Sequence, residues 1–257
     1  QGMGGLMSMT GLPDEAPGGG PMKTGIAIGD AMAGMYASTA ILAALQQRHA
    51  TGRGQHIDIS LLDCVVALTS YMSANYFVAD RLPKRLGNAH ANIAPYQVFR
   101  CKQGDVILGV GNNSQYVSFC GAIGRPDLAT DARFASGEQR LRHRDVLIPI
   151  LEQVFLRRTM AEWVELLNRH NVPCGPINTL KEVFEDPQVR HRGLRISMPH
   201  AAGVEAPGVA SPLRLSDSPV TYDMPPPMLG QHTQAVLAGL LEKTDAEIQA
   251  LRERRVI

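Results

Sequence analysis

Cysteine is scarce: Cys64, Cys101, Cys120 and Cys174 are the only four in 257 residues, and no two form a CxxC pair. That spacing excludes a disulfide framework and a cysteine-built zinc site. Charge of one sign is also in short supply, with a formal net charge of +1. Such a balance excludes an electrostatic nucleic-acid binder, which needs a basic surplus to displace counterions from phosphates. The eight histidines fall at no metal-ligand spacing and HExxH is absent, so no metal is expected. There is no GxxxxGK[ST], and Gly109-Val110-Gly111 continues into Asn112-Asn113-Ser114-Gln115 instead of the third glycine of GxGxxG. No GxSxG elbow occurs. Asn112-Asn113-Ser114 matches a glycosylation sequon, but nothing else points to secretion. No apolar run approaches a membrane span and no signal peptide is visible, so a cytoplasmic setting without membrane contact is expected.

What is present describes an ordinary globular chain. It is 44% hydrophobic and 19% charged, and its 25 Gly and 17 Pro imply many turns. A chain of this length can bury a substantial core in one large or two modest domains. The opening "QGMGGLMSMTGLPDEAPGGGP" lacks hydrophobic periodicity and begins with Gln1. It reads as an active-site-type loop entered partway, and a segment upstream is expected.

Further along, the pattern becomes regular. From Asp30, "DAMAGMYASTAILAALQQRHATGRG" places Met32, Met35, Tyr36, Ile41, Leu42 and Leu45 at three- and four-residue spacings. That predicts a buried helix ended by glycine chemistry at Thr51-Gly52-Arg53-Gly54. "QHIDIS" alternates as a short strand, and Ser60 with Asp63 caps one helix over "LLDCVVALTSYMSANYF". Pro83 and Gly87 break the pattern, and "YQVFRCKQGDVILGVG" predicts a hairpin that turns at Lys102-Gln103-Gly104-Asp105. Helices are expected over 114–123, 144–156, 159–170 and 180–185, with a Thr159/Glu162 capping box and a loop over "NVPCGPINTL". Two helices close the chain, the last capped by Thr244 and Glu247. The rhythm is that of an α/β protein.

Two residues invite chemistry. Cys174 in "VPCGPI" is flanked by Pro and Gly, which mark a rigid loop and favour a small buried residue over a nucleophile. Asp30 stands between a glycine-rich stretch, "GGGPMKTGIAIGD", and the helical pattern. An aspartate there commonly caps the helix by accepting from free backbone N–H groups. The same place suits a reactive carboxylate, since a helix N-terminus stabilises an anion and glycines let a large ligand approach. Local physics leaves both readings open.

The run from "QGMGGLMSMTG" through "GGGPMKTGIAIGDAMAGMYASTAILAALQQRHATGRGQHIDISLLD" resembles the class III CoA-transferases, the CaiB/BaiF family. "RLGNAHANIAPYQVF", "WVELLNRHNVPCGPINTLKEVFEDPQVRHRG" and "PPPMLGQHTQAVL" extend the resemblance across the chain. The resemblance implies an α/β fold with a Rossmann-like large domain, incomplete here, and a smaller α+β domain, assembled as an interlocked homodimer. Residues 1–80 and 193–257 would belong to the large domain and 81–192 to the small one. Asp30 matches the aspartate that attacks an acyl-CoA thioester, giving an aspartyl anhydride and then an aspartyl-CoA thioester. Coenzyme A and acyl-CoA enter as substrates, with no bound cofactor. CoA contacts are expected mostly upstream of Gln1, so the isolated chain should bind CoA poorly and expose apolar surface along Ala31 to Leu45.

Where the formyl-CoA transferase branch carries a run of glycines, this chain has His90-Ala91-Asn92-Ile93. That version looks more like the branch acting on dicarboxylic acids, such as succinyl-CoA:glutarate CoA-transferase. Arg85 and His90 flank the loop that by resemblance closes on Asp30, and they are candidates for a distal carboxylate. His90 and Asn92 equally suit a plain hydrogen-bonding role in the loop. An α-methylacyl-CoA racemase, with aspartate as acid/base at the same place, and a truncated non-catalytic binding partner are the alternatives.

Overall fold

The computed structural model describes all 257 residues, which gather into two compact units, Gln1–Ile177 and Asn178–Ile257. The mixed helix-and-strand architecture agrees with the expected α/β class. The first unit begins with a glycine-rich segment that holds one helical turn, α1 (Leu6–Met9), and continues into the 24-residue α2 (Ile28–Thr51). Gly52, in the left-handed region at φ 72°, closes α2 by donating its N–H to the Arg48 carbonyl. That ending is the one expected from the glycines.

Four expectations fail in this region. Residues 53–60 form no regular element and pair with no strand, so "QHIDIS" is not a β-strand. Alternation specifies a strand only where a neighbour takes up its N–H and C=O groups. The single helix expected after Ser60 is two, α3 (Leu61–Ala67) and α4 (Ser70–Ala79), bent by 70°. The Thr69 side chain donates to the Val66 carbonyl at 2.6 Å, and Ser70 takes φ 50°, which breaks the ladder. Finally, α2 buries only Gly29, whereas a buried helix was expected. Ile41 is 49% and Leu42 67% exposed, which matches the separate expectation of open apolar surface. α2 is also long and apolar enough to cross a membrane, contrary to the reading that no run reaches that length. Interspersed Gly, Ala, Ser and Thr hid the run, which carries no charge between Asp30 and Arg48.

The core of the first unit lies beyond Ala94. β1 (Tyr96–Arg100) and β2 (Asp105–Gly109) form the expected antiparallel hairpin with Val98 opposite Ile107, and Gly104 supplies the turn at φ 77°. Helices α5 (Asn113–Ala122), α6 (Asp127–Thr130), α7 (Gly137–Arg142), α8 (Arg144–Phe155) and α9 (Met160–Arg169) follow. β3 (Cys174–Pro176) then adds to the other edge of β2, where a loop was expected. Pro173 precedes this three-residue strand and Pro176 ends it, which masked it from periodicity.

Phe99, Phe119, Phe155 and Trp163 fill the interior, with Phe99 and Phe155 stacked at 4.5 Å. The Trp163 indole N–H donates to the Phe155 carbonyl at 2.8 Å, so the ring is buried without an orphan donor. Arg140 is only 2% exposed. It donates to the carbonyls of Ala94 and Phe134 and to Asn113 Oδ1, at 2.9–3.0 Å, and lies over the Tyr116 ring. Burial pulls its pKa down from the usual value.

The second unit carries α10 (Leu180–Glu185), α11 (Pro187–His191), the antiparallel pair β4 (Arg195–Pro199) and β5 (Glu205–Val209), then α12 (Thr233–Gly239) and α13 (Asp245–Glu253). The capping boxes at Thr159/Glu162 and Thr244/Glu247 form as expected, and a third forms at Thr179/Glu182.

Candidate active site

The helix that carries Asp30 starts two residues earlier than the sequence suggested. Ala27 is its N-cap and makes no side-chain capping bond, so Asp30 is the third helical residue and not a cap. Its carboxylate takes part in no ion pair or hydrogen bond within the chain and is exposed. The capping reading therefore falls away.

The surroundings favour an anion in transit. The N–H groups of Gly29 and Asp30 are among the unpaired donors of the first helical turn, and neither bonds to another group of the chain. Both residues line a cavity of about 670 Å³ together with Met3, Gly4, Lys23 and Val65. That is a size suited to a small-molecule site.

Close packing by glycines shapes this wall. A Cβ on Gly4 would lie 2.6 Å from Val65 Cγ1, and one on Gly29 would lie 3.1 Å from Val65 Cγ2. A side chain at Gly4 would push α3 away from the N-terminal segment, and one at Gly29 would push it away from the start of α2. The segment before α2 is pinned as well. Gln1 Oε1 accepts from the Thr24 N–H at 2.9 Å, and the Met22 N–H donates to the Thr10 carbonyl at 2.8 Å.

The other residues singled out from sequence do not line this cavity. Arg85, with its side chain 15% exposed, forms an ion pair with Asp14 and donates to the Ser8 carbonyl at 2.9 Å. It fastens the loop before β1 to the glycine-rich segment. His90 is stacked between Tyr71 and Tyr96, with ring centroids 5.5 and 5.2 Å away. Its Nδ1 accepts from the Asn92 N–H at 3.0 Å, and burial and then nearby Arg144 hold its pKa below the usual value. Arg144 in turn donates to the carbonyls of His90 and Ile93. His90 and Asn92 thus brace their own loop. Cys174 is partly buried, and burial raises its thiol pKa, which suits no nucleophile. No three His, Cys, Asp or Glu side chains converge on a metal site.

Lys23 escaped the sequence reading. It is the only Lys or Arg before Arg48, and that isolation beside a glycine-rich stretch was the available signal. Arg140, placed in the interior by the fold, left no signal at all.

Comparison with known proteins gives the family of the chain. The family model described as CoA-transferase family III matches residues 1–233. The chain is 41% identical over 95% of its length to a succinate–glutarate CoA-transferase of Agrobacterium fabrum, covering 60% of that protein. It is 38% identical to the human succinyl-CoA:glutarate CoA-transferase, over 98% of this chain and 57% of the relative. Among solved structures, a CaiB/BaiF family protein from Brucella suis is similar with a TM-score of 0.76 at 40% identity, over 93% of this chain and 61% of the other. An aspartate-to-alanine variant of Rv3272 from Mycobacterium tuberculosis is similar with a TM-score of 0.78 at 25% identity, again over 93% and 61%. The chain spans less than two thirds of the length of these relatives.

Proposed function

The chain belongs to CoA-transferase family III, and from that premise we propose that Asp30 is the nucleophile through which CoA passes from an acyl-CoA donor to a dicarboxylic acid. The observation that carries the reading is an unpaired carboxylate in the first turn of α2, open to a cavity and flanked by two unpaired N–H groups.

A carboxylate, with an ordinary pKa of about 4, is a weak nucleophile, so placement and desolvation must do most of the activation. Asp30 attacks the thioester carbonyl; the C–S bond breaks, leaving an aspartyl–acyl anhydride and CoA thiolate. The thiolate attacks the aspartyl carbonyl and expels the donor acid, which forms an aspartyl-CoA thioester. The acceptor carboxylate then attacks this thioester and frees the thiolate again. Thiolate attack on the acceptor's acyl carbon yields the new acyl-CoA and regenerates Asp30. Each tetrahedral adduct carries an oxyanion, and the Gly29 and Asp30 N–H groups are the nearest unpaired backbone donors. A dicarboxylic acceptor is supported by relatives named for succinate and glutarate and by a formyl-CoA:oxalate CoA-transferase of Streptomyces avermitilis at 34% identity. The homodimer and the division at residues 80/81 and 192/193 belong to the same proposal.

The test is covalent capture. Incubation of the intact protein with succinyl-CoA followed by hydroxylamine should convert Asp30 to a hydroxamate, read by peptide mass. An unmodified Asp30 would sink the reading, and it is the result a racemase or a non-catalytic binding partner would give.

A further inference from the structure

Asp30 is the only carboxylate lining the cavity and Lys23 the only basic side chain, and that side chain has no assigned task. We propose that Lys23 is a substrate-binding residue, pairing with an anionic oxygen of the molecule whose acyl group reacts at Asp30. The inference rests on the function proposed above and names the counter-charge that function requires. An acceptor with two carboxylates brings one to Asp30 and carries the second into the cavity. Burying that second charge unpaired costs several kcal/mol, so the wall must supply a cation or several donors.

Lys23 is the only basic side chain lining the cavity. It makes no ion pair or hydrogen bond within the chain, so its ammonium is free for a ligand. Its main chain is nevertheless held on both sides. The Met22 N–H donates to the Thr10 carbonyl and the Thr24 N–H to the Gln1 side chain, which fixes the root of the lysine side chain. The rival cation, Arg85, already has Asp14 and the Ser8 carbonyl as partners and lies outside the cavity. A lysine contributes a compact charge on a flexible stem, which tolerates acids of differing length better than a rigid guanidinium fork. The anionic oxygen has two possible sources, the distal carboxylate of the acid and a phosphate of CoA.

The experiment compares Lys23→Gln and Lys23→Arg with the unaltered intact protein in steady-state CoA exchange. Succinate and a monocarboxylate of the same length serve as acceptors, and CoA and 3′-dephospho-CoA thioesters as donors. Loss of a charge-assisted contact should raise the relevant KM about tenfold or more in Lys23→Gln, with kcat nearly unchanged. Lys23→Arg should recover most of the loss. A rise confined to succinate assigns the distal carboxylate; a rise confined to the CoA donor, and smaller for the dephospho form, assigns the phosphate. Unchanged KM for every substrate overturns the proposal, as does a fall in kcat alone. Hydroxylamine capture at Asp30 in the unaltered protein separates the two levels. If capture succeeds and KM does not move, Lys23 alone is refuted; if capture fails, the underlying reaction is.

Discussion

Two regions of the first unit are built on opposite plans. Between Ala94 and Pro176, a three-stranded sheet and its helices enclose a continuous aromatic and aliphatic core. Before Ala79, a 24-residue helix buries a single glycine, and most of its large apolar residues face outward. Yet the candidate nucleophile sits in the second region. There, position is set by backbone: glycines pressed against Val65, side-chain ties from Gln1, and the unpaired end of a helix. The sheet region supplies stability, while the helical region supplies accessible polar groups. A reacting carboxylate needs the latter, because a packed core would desolvate it without leaving room for a ligand.

The sharpest test of that division is Asp30→Asn. Transfer activity should fall by about three orders of magnitude or more, as expected when a nucleophile is removed. Stability should fall by no more than about 0.3–1 kcal/mol, the worth of an anion in the first helical turn, since the carboxylate neither caps α2 nor pairs. A larger loss of stability would mean the two regions are not separable.

The converse change is Phe155→Ala, which empties the centre of the aromatic stack and should cost about 3–5 kcal/mol by denaturant unfolding. Arg140→Met keeps the bulk but leaves the Ala94 and Phe134 carbonyls without donors. It should cost about 2–4 kcal/mol, since each unsatisfied buried acceptor costs about 1–3 kcal/mol.

Gly4→Ala tests the wall of the site. Its Cβ would collide with Val65, with an expected cost of about 1–3 kcal/mol and a disproportionate loss of turnover. Val65→Ala in the same chain should restore activity in part, and failure to do so would remove the packing argument.

The smallest effect is expected at His90. Its pKa is lowered from 6.5 by burial and then by Arg144, so the unfolded chain binds its proton more tightly. His90 therefore contributes stability fully above pH 6.5, and that contribution fades as pH falls toward the lowered value. His90→Gln should flatten this limb of the stability–pH curve, while an identical curve would show that the stacked imidazole is not linked to folding.

Much of the local structure was legible in the residues themselves. The Thr159/Glu162 and Thr244/Glu247 boxes, the Gly52 stop and the Val98–Ile107 hairpin all formed where the pattern placed them. Each depends on groups within a few residues, so sequence spacing and spatial proximity coincide. Asp30 was found the same way, as a carboxylate between glycines and a helix, with its identity sharpened by resemblance across long motifs.

Other features were decided by contacts between distant segments. Ile57 and Ile59 alternate but have no neighbouring strand, whereas Cys174 to Pro176 scarcely alternates and pairs with β2. Asp30 lost its capping role because α2 begins at Ile28, where the preceding segment is tied to Gln1. Arg85 found Asp14 across seventy-one positions, and Arg140 found Ala94 across forty-six. Spacing along the chain specifies which elements can form and which groups want partners. Which partner each group meets, and which cation is left free beside Asp30, depends on chain closure over distances no local pattern spans.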